Sequence, residues 1–444
     1  MKLITGMLAL ALIASAADAQ DDTINAASRT AAIEEIGALI SDNYYDADLG
    51  RGIASQLHEM EAGSDVQDVT SGNILAALLT EHLQQIDRHF EVQWRGVEQI
   101  ALTRAEWAAQ EAQDAAGGDG SADPNRWASL RRHNFAFGDL SVLDANVGYL
   151  NLTGFAPIEP AEPTARAALT YLANTDTMII DLRENGGGDP DMVQYLISHF
   201  LPAGTEVLYN TFLPRTGDPV EMRSLPDHPA GNRPDVPLYI LVSPETLSAA
   251  EALAYHLQAM GRATIIGETT AGGANAGDFL LASSGYSVFI PTATSRNAIT
   301  GTNWDGTGVA PDVSVQADLA LDQALLQIYE HMAETSQVPE QAIAADWQAA
   351  LLAAELNPWV PTAAQLAAYA GDYGPRHISI TDGELVYQRD GQEAHPLIPL
   401  KEGIFRRADL EDYRFEFAGA ETGHATVLVL RLQNGATDSS PRSE

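Results

Sequence analysis

Residues 177–188 read TMIIDLRENGGG, and residues 238–255 read LYILVSPETLSAAEALAY. In each, a short run of buried-type strand residues meets a tight polar or glycine-rich turn and then a helical pattern. Strands alternating with helices predict an α/β domain with a largely parallel or mixed sheet. The second turn sets Ser248 at a helix start, where the dipole and free N–H groups favour a developing negative charge. The glycines of the first turn offer N–H groups that could face it. A hydroxyl beside a backbone anion pocket is the minimal kit for acyl transfer. The same residues carry a structural reading. SAAE is a capping box in which Ser248 caps the helix and Glu251 answers it. The glycine run is equally an ordinary tight turn, with Asp181 and Arg183 as an ion pair. It is not a phosphate loop, because neither the Gly-Lys-Ser/Thr sequence nor the dinucleotide spacing is present.

Outward from these turns, 147–155 reads as a strand, 163–173 as a helix, 263–267 and 286–291 as strands, and 319–333 as a helix. Residues 31–44 and 69–86 carry apolar positions at three- and four-residue spacing, so the region from Asp22 to about Leu102 is predicted to be helical. Residues 108–124 are rich in Ala, Gly and Asp and read as a surface linker. Beyond Pro358 short alternating segments split by Gly and Asp predict a small antiparallel β domain. The expected order is a leader over 1–19, a helical subdomain over 20–105, a linker over 106–125, an α/β core over 126–335 and an accessory β domain over 360–444.

The 444 residues carry 61 Asp and Glu against 24 Lys and Arg, a formal net charge of −37. Such a surface opposes nucleic acid and anionic membrane, both polyanions. Cysteine is absent, which excludes disulfides, thiolate metal sites and a cysteine nucleophile. No HExxH or EF-hand pattern is present, and neither a metal nor a cofactor is expected. The N-terminus, MKLITGMLALALIASAADAQ, has a basic start, an apolar stretch shorter than the ~20 residues a span needs, and an Ala-Asp-Ala cleavage site. Cleavage after Ala19 and export to a periplasmic or extracellular location are expected, with no membrane attachment afterwards.

A serine nucleophile needs a base. The only lysines are Lys2 and Lys401, and Lys401 lies in the C-terminal β region, so a Ser–Lys dyad is close to excluded and histidine is left. His256 is eight residues past Ser248 on one helix, about 12 Å away at ~1.5 Å per residue, which is beyond proton transfer. His199 ends an amphipathic helix and reads as structural. His89, in IDRHFEVQW, sits where a helix gives way to alternating apolar residues, a junction suited to presenting a side chain to a cleft. An orienting carboxylate is needed as well. Asp305, in GTNWDGTGVAPD, is a candidate, although Asp-Gly is also a common turn pair.

Six segments, in order, resemble the S41 family of serine peptidases: IDRHF (86–90), NVGYLNLTGF (146–155), IIDLRENGGG (179–188), ETLSAAEALAY (245–255), ATIIGETTAGGANAG (263–277) and TGTNWDGTGVAPDV (300–313). The resemblance implies a crotonase/ClpP-like core preceded by helices. Ser248 matches the nucleophile, and Gly187 or Gly188 with Ala249 matches the oxyanion hole. The C-terminal-processing branch uses a lysine base on the segment after the serine helix, where this chain has none, and it carries a PDZ insert for which 94–146 is too short. The tricorn and retinoid-binding-like branch uses a histidine base and a later acid, which fall on His89 and Asp305. Arg88 replaces a small residue before the histidine. Asp305 replaces glutamate, one methylene shorter, so its carboxylate is expected to fall short of His89 unless the loop shifts. The implied activity is hydrolysis of a peptide or protein substrate. The alternative is a binding module for hydrophobic ligands with weak or no turnover. An esterase or amidase would use the same residues. The oligomeric state is open.

Overall fold

The computed structural model describes residues 22–115, 127–420 and 423–443. The leader and its cleavage site lie outside them. Of the expected linker, residues 106–115 instead complete the helix Val97–Ala115, built from good helix formers such as Ala, Glu and Gln; the remainder lies outside the described residues. The chain divides into two compact units, residues up to 142 with 148–317, and 143–147 with 318–444. The N-terminal helices and the α/β core therefore share one unit.

In the first unit a six-stranded sheet runs in the order Val313–Ser314, Thr264–Gly267, Leu238–Val242, Thr177–Asp181, Val147–Leu152, Phe137–Leu143. The first four are parallel neighbours. All five residues of Thr177–Asp181 are buried, as expected for a central parallel strand that reads as one apolar run. Helices Ile158–Tyr171, Pro190–His199 and Ala249–Ala259 share one core with it, in which Leu150, Ile180, Leu196, Ile240 and Leu253 are fully buried. A second, antiparallel sheet pairs Glu91–Trp94, Tyr286–Asn297, Leu208–Pro214 and Val220–Arg223, with Ala276–Ala282 also on the long strand. Tyr286, Val288 and Ile290 on that strand pack with Ile33, Ile36, Ile40 and Leu79 of the N-terminal helices. This second core brings the IDRHF segment onto the sheet edge.

The second unit holds helices Ala320–Thr335, Pro339–Leu356 and Ala363–Tyr369 and an eight-stranded antiparallel sheet in sequential order from Gly371–Tyr373 to Thr437–Pro441. Its core centres on Tyr373, Phe405, Phe415 and Leu428. Buried Arg414 pairs with Asp346 at 2.5 Å and stacks over Trp347. The fold is thus mixed α/β, with a helical N-terminal part and a C-terminal antiparallel sheet. Among the described residues no helix is long and apolar enough to cross a membrane.

The two histidines set aside in the sequence are structural. Asn297 Nδ2 donates to His256 Nδ1 at 2.8 Å, and His199 Nδ1 lies 2.7 Å from the Gly231 carbonyl. Burial depresses His256 to about 3; burial and neighbouring cationic groups depress His199 to about 4. Both folded values lie below the unfolded value of ~6.5, so their stabilisation is complete above that pH and is lost as pH falls towards 4 and 3. Urea denaturation between pH 7 and 4 should show stability falling by up to about 1.4 kcal/mol per pH unit per histidine. His256→Gln should flatten that slope relative to wild type. The difference isolates the histidine from groups such as Asp189, whose pKa burial raises to about 6 and which acts with the opposite sign. Equal slopes in the two proteins would contradict the assignment.

Candidate active site

Ser248 stands immediately before the helix Ala249–Ala259 with φ 59° and ψ −118°, a backbone conformation that costs energy for a residue with a Cβ. Three contacts impose it. Leu247 N–H donates to the Asn185 carbonyl at 3.0 Å, Ala250 N–H to the Leu247 carbonyl at 3.1 Å, and Ser248 N–H to Glu251 Oε2 at 2.8 Å. Glu251 is fully buried and takes four donors. Oε1 accepts Thr270 Oγ1 and Gly272 N (2.7 Å), and Oε2 accepts Ser248 N and Gly273 N, each at 2.8 Å. Burial pushes its pKa up against the pull of those bonds. With every partner donating, it acts as a carboxylate. One oxygen therefore holds the backbones of Ser248 and Gly273 side by side.

The glycine loop closes on the same turn. A Cβ on Gly187 (φ +103°) would meet Ser248 Cβ at 2.8 Å and the Leu247 carbonyl oxygen at 2.9 Å. A Cβ on Gly188 (φ +137°) would lie 2.1 Å from the Phe155 carbonyl oxygen. Only glycine permits either approach. Gly187 N–H donates to Asn185 Oδ1 at 2.9 Å, so it is occupied within its own loop. Of the three donors that the sequence suggests, Gly188 and Ala249 are the two whose N–H groups have no hydrogen-bond partner among the described residues. The Asp181–Arg183 ion pair is also present, at 2.6 Å, so the loop satisfies the structural reading and the anion-pocket reading together.

His89 reaches the site at Gly273. A Cβ on Gly273 would strike Leu247 Cδ1 at 2.7 Å, His89 Cε1 at 2.8 Å and His89 Nε2 at 3.1 Å, so the imidazole lies against the glycine that Glu251 couples to Ser248. The ring is 7 % exposed, and among the described residues neither of its nitrogens has a hydrogen-bond partner. Ser248 and His89 are neighbours across Gly273 and are not hydrogen-bonded to each other.

Two carboxylates flank the ring. Asp87 Oδ1 lies 3.5 Å from His89 Nδ1 and accepts the His89 backbone N–H at 3.0 Å, while Oδ2 accepts Tyr44 Oη at 3.1 Å and Asn275 Nδ2 at 2.9 Å. Burial opposes its ionisation, but the neighbouring His89, through its ring and its backbone N–H, and the bond from Asn275 outweigh it and hold the carboxyl below its usual range. Asp305 is half-buried and accepts Ala274 N–H at 3.2 Å. Burial, and then the Asp87 charge, push its pKa up. Donor atoms of Asp87, His89 and Asp305 all lie within 4.8 Å of one another. Asp305 thus approaches His89 without bonding to the ring, as a side chain one methylene short would. Its loop is fixed by Trp304 Nε1–H, which donates to the Gly273 carbonyl at 3.0 Å, and by Gly306 N–H on the Gly272 carbonyl at 2.9 Å.

Sequence reasoning did not single out Asp87, Asn275 or Tyr44 and read Glu251 only as a cap. Asp87 has a local signal, since an Asp two residues before a backbone N–H is the pattern of an Asx turn. Beside Ser248 lies a cavity lined by Val193, Phe212, Met222, Ala252 and Trp304, with the buried, unpartnered Tyr209 hydroxyl in its wall. Asn210, Asn275 and Ser295 also line it.

Residues 146–315 match the model of peptidase family S41, a span that contains Ser248, both glycines and Asp305 but not His89. Among solved structures the chain is similar to a lipoprotein from Streptococcus agalactiae, at 13% identity, covering 68% of this chain and 96% of that one with a TM-score of 0.44. It is also similar to the photosystem II D1 C-terminal processing protease, at 16% identity, covering 66% and 94% with a TM-score of 0.41.

Gly187→Ala places a methyl group against Ser248 in a backbone region that alanine resists. It should destabilise the chain by on the order of 1–3 kcal/mol in chemical denaturation. It should also displace the Ser248 turn, seen as a much slower reaction of that hydroxyl with a phosphonylating reagent. Unchanged stability and unchanged reactivity would contradict the close approach.

Proposed function

We propose that the chain is an exported serine peptidase with a histidine base, a reading supported by the match of residues 146–315 to the model of peptidase family S41. The observation that carries this reading is the shared Glu251 oxygen, which holds Ser248 beside the glycine that backs His89. Ser248 Oγ attacks the peptide carbonyl carbon as its proton passes to His89 Nε2. The carbonyl oxygen, now an oxyanion, takes the free N–H groups of Gly188 and Ala249. The tetrahedral intermediate collapses, the C–N bond breaks, and His89 returns the proton to the leaving amine. Water then hydrolyses the acyl-serine by the same relay.

Asp87 favours the tautomer with the proton on Nδ1, because its Oδ1 faces that nitrogen. This leaves the Nε2 lone pair free to act as the base. Asp305 supports the imidazolium that forms, through space rather than by a bond. The apolar cavity at Ser248 takes the substrate side chain on the acyl side of the scissile bond. That same cavity favours the second reading, a carrier of a hydrophobic ligand on a peptidase scaffold. Turnover distinguishes the two.

A fluorophosphonate probe should label the wild-type chain, and Ser248→Ala should abolish labelling and peptide hydrolysis together. His89→Ala should slow labelling by about 10²- to 10⁴-fold, the range general-base catalysis contributes. Undiminished labelling of Ser248→Ala would refute the nucleophile. A probe-inert wild-type chain that binds a fatty acid tightly would favour the carrier. Asp87→Asn should cost peptide hydrolysis on the order of 10²-fold or more and should cost more than Asp305→Asn. The reverse order would return the orienting role to Asp305.

A further inference from the structure

We propose that Asp87, His89 and Asp305 form a binding site for a divalent transition-metal ion of the zinc type, and that its occupancy silences the peptidase. Asp87 and His89 stand two residues apart in the sequence, and the fold brings Asp305 to them. Their donor atoms lie within 4.8 Å of one another, and the Asp87 Oδ1 to His89 Nδ1 separation is 3.5 Å. That separation is too long for a good hydrogen bond. It matches the edge of a tetrahedron about a zinc ion, roughly 3.4 Å for ligand bonds of about 2.0–2.2 Å.

The independent observation is the ring itself. His89 is 7 % exposed, yet among the described residues neither nitrogen has a hydrogen-bond partner, an arrangement that costs free energy for a buried polar ring. One nitrogen and two carboxylate oxygens suit a borderline ion, and water can complete the shell. The outer contacts are in place. Tyr44 and Asn275 hold Asp87, and Ala274 N–H holds Asp305. Asp87 and Asp305 also line an open depression, where with Glu81 they set three carboxylates against the one guanidinium of Arg88. A second histidine flanked by two carboxylates, His377, is exposed, and both its nitrogens already bond, to Asp372 and Asp390.

Silencing follows whichever nitrogen takes the ion. On Nε2 the ion occupies the lone pair that the serine proton needs. On Nδ1 it forces the ring proton onto Nε2, which then donates and cannot accept. The silencing rests on the peptidase reading; the binding does not.

Isothermal titration of chelator-treated chain with zinc should give one saturable site per chain in both wild type and Ser248→Ala. Asp305→Asn and His89→Gln should each weaken that site at least tenfold. Asp305→Asn is near-isosteric at a half-buried position, and an unchanged melting temperature without metal establishes that it folds. Zinc should raise the melting temperature of wild type and not of His89→Gln. Fluorophosphonate labelling of wild type should fall on zinc addition and return with EDTA. Absence of a saturable site, or undiminished binding in both ligand variants, overturns the site. Full labelling at saturating zinc overturns the silencing. A chain that never labels, with zinc binding intact in Ser248→Ala, removes the peptidase reading and supports the metal site.

Discussion

The site depends on one buried carboxylate. Glu251 lies inside the first unit with no exposed surface, and a charge in that position is tolerated only when hydrogen bonds replace its hydration. Four donors do so, and they come from two separate segments: the turn at Ser248 and the loop from Thr270 to Gly273. Because Oε2 accepts both Ser248 N–H and Gly273 N–H, the strained serine turn and the wall against which His89 rests are set by the same atom. Removing the carboxylate would leave buried N–H groups without acceptors. Each typically costs about 1–3 kcal/mol, and the two halves of the site would be free to separate.

Around that link, each packing element has a positioning consequence. The parallel strands Thr177–Asp181 and Leu238–Val242 deliver the glycine loop and the serine turn to the same end of the sheet, where the crevice of an open α/β sheet forms. Two glycines with positive φ allow the loop to close until only a side-chain-free backbone fits. The antiparallel sheet and the N-terminal helices form their own core and bring His89 in from a segment far removed in sequence. Trp304 ties the Asp305 loop onto Gly273, so all three approaches meet at one glycine.

Much of this was legible in the sequence because the decisive patterns are short. The strand–turn–helix runs around 177–188 and 238–255 place Ser248 and the glycines through local periodicity and turn chemistry alone. The lysine inventory leaves histidine as the base by simple exclusion. Other features were not legible, because their meaning is three-dimensional. Glu251 is a cap in the sequence and also a cap in the fold, where Ser248 N–H donates to it; its second role appears only when Gly272 and Gly273 arrive. Asp87 was given no role in IDRHF, since its partners Tyr44 and Asn275 come from distant elements. Strands Leu208–Pro214, Val220–Arg223 and Ala276–Ala282 pair antiparallel around one long strand and carry no clean alternation, so period-two patterning did not mark them. Gly187 shows a further limit. A glycine at the right place can serve by lacking a side chain while its N–H is already occupied.

The most direct test of the link between hydroxyl and imidazole is a crystal structure of the fluorophosphonate-treated chain. The expected result is a phosphonyl group on Ser248 Oγ, with one oxygen within about 3 Å of the Gly188 and Ala249 nitrogens and His89 Nε2 within hydrogen-bond reach of the adduct. An adduct on another residue, or one on Ser248 with His89 still held behind Gly273 and out of reach, would contradict the account.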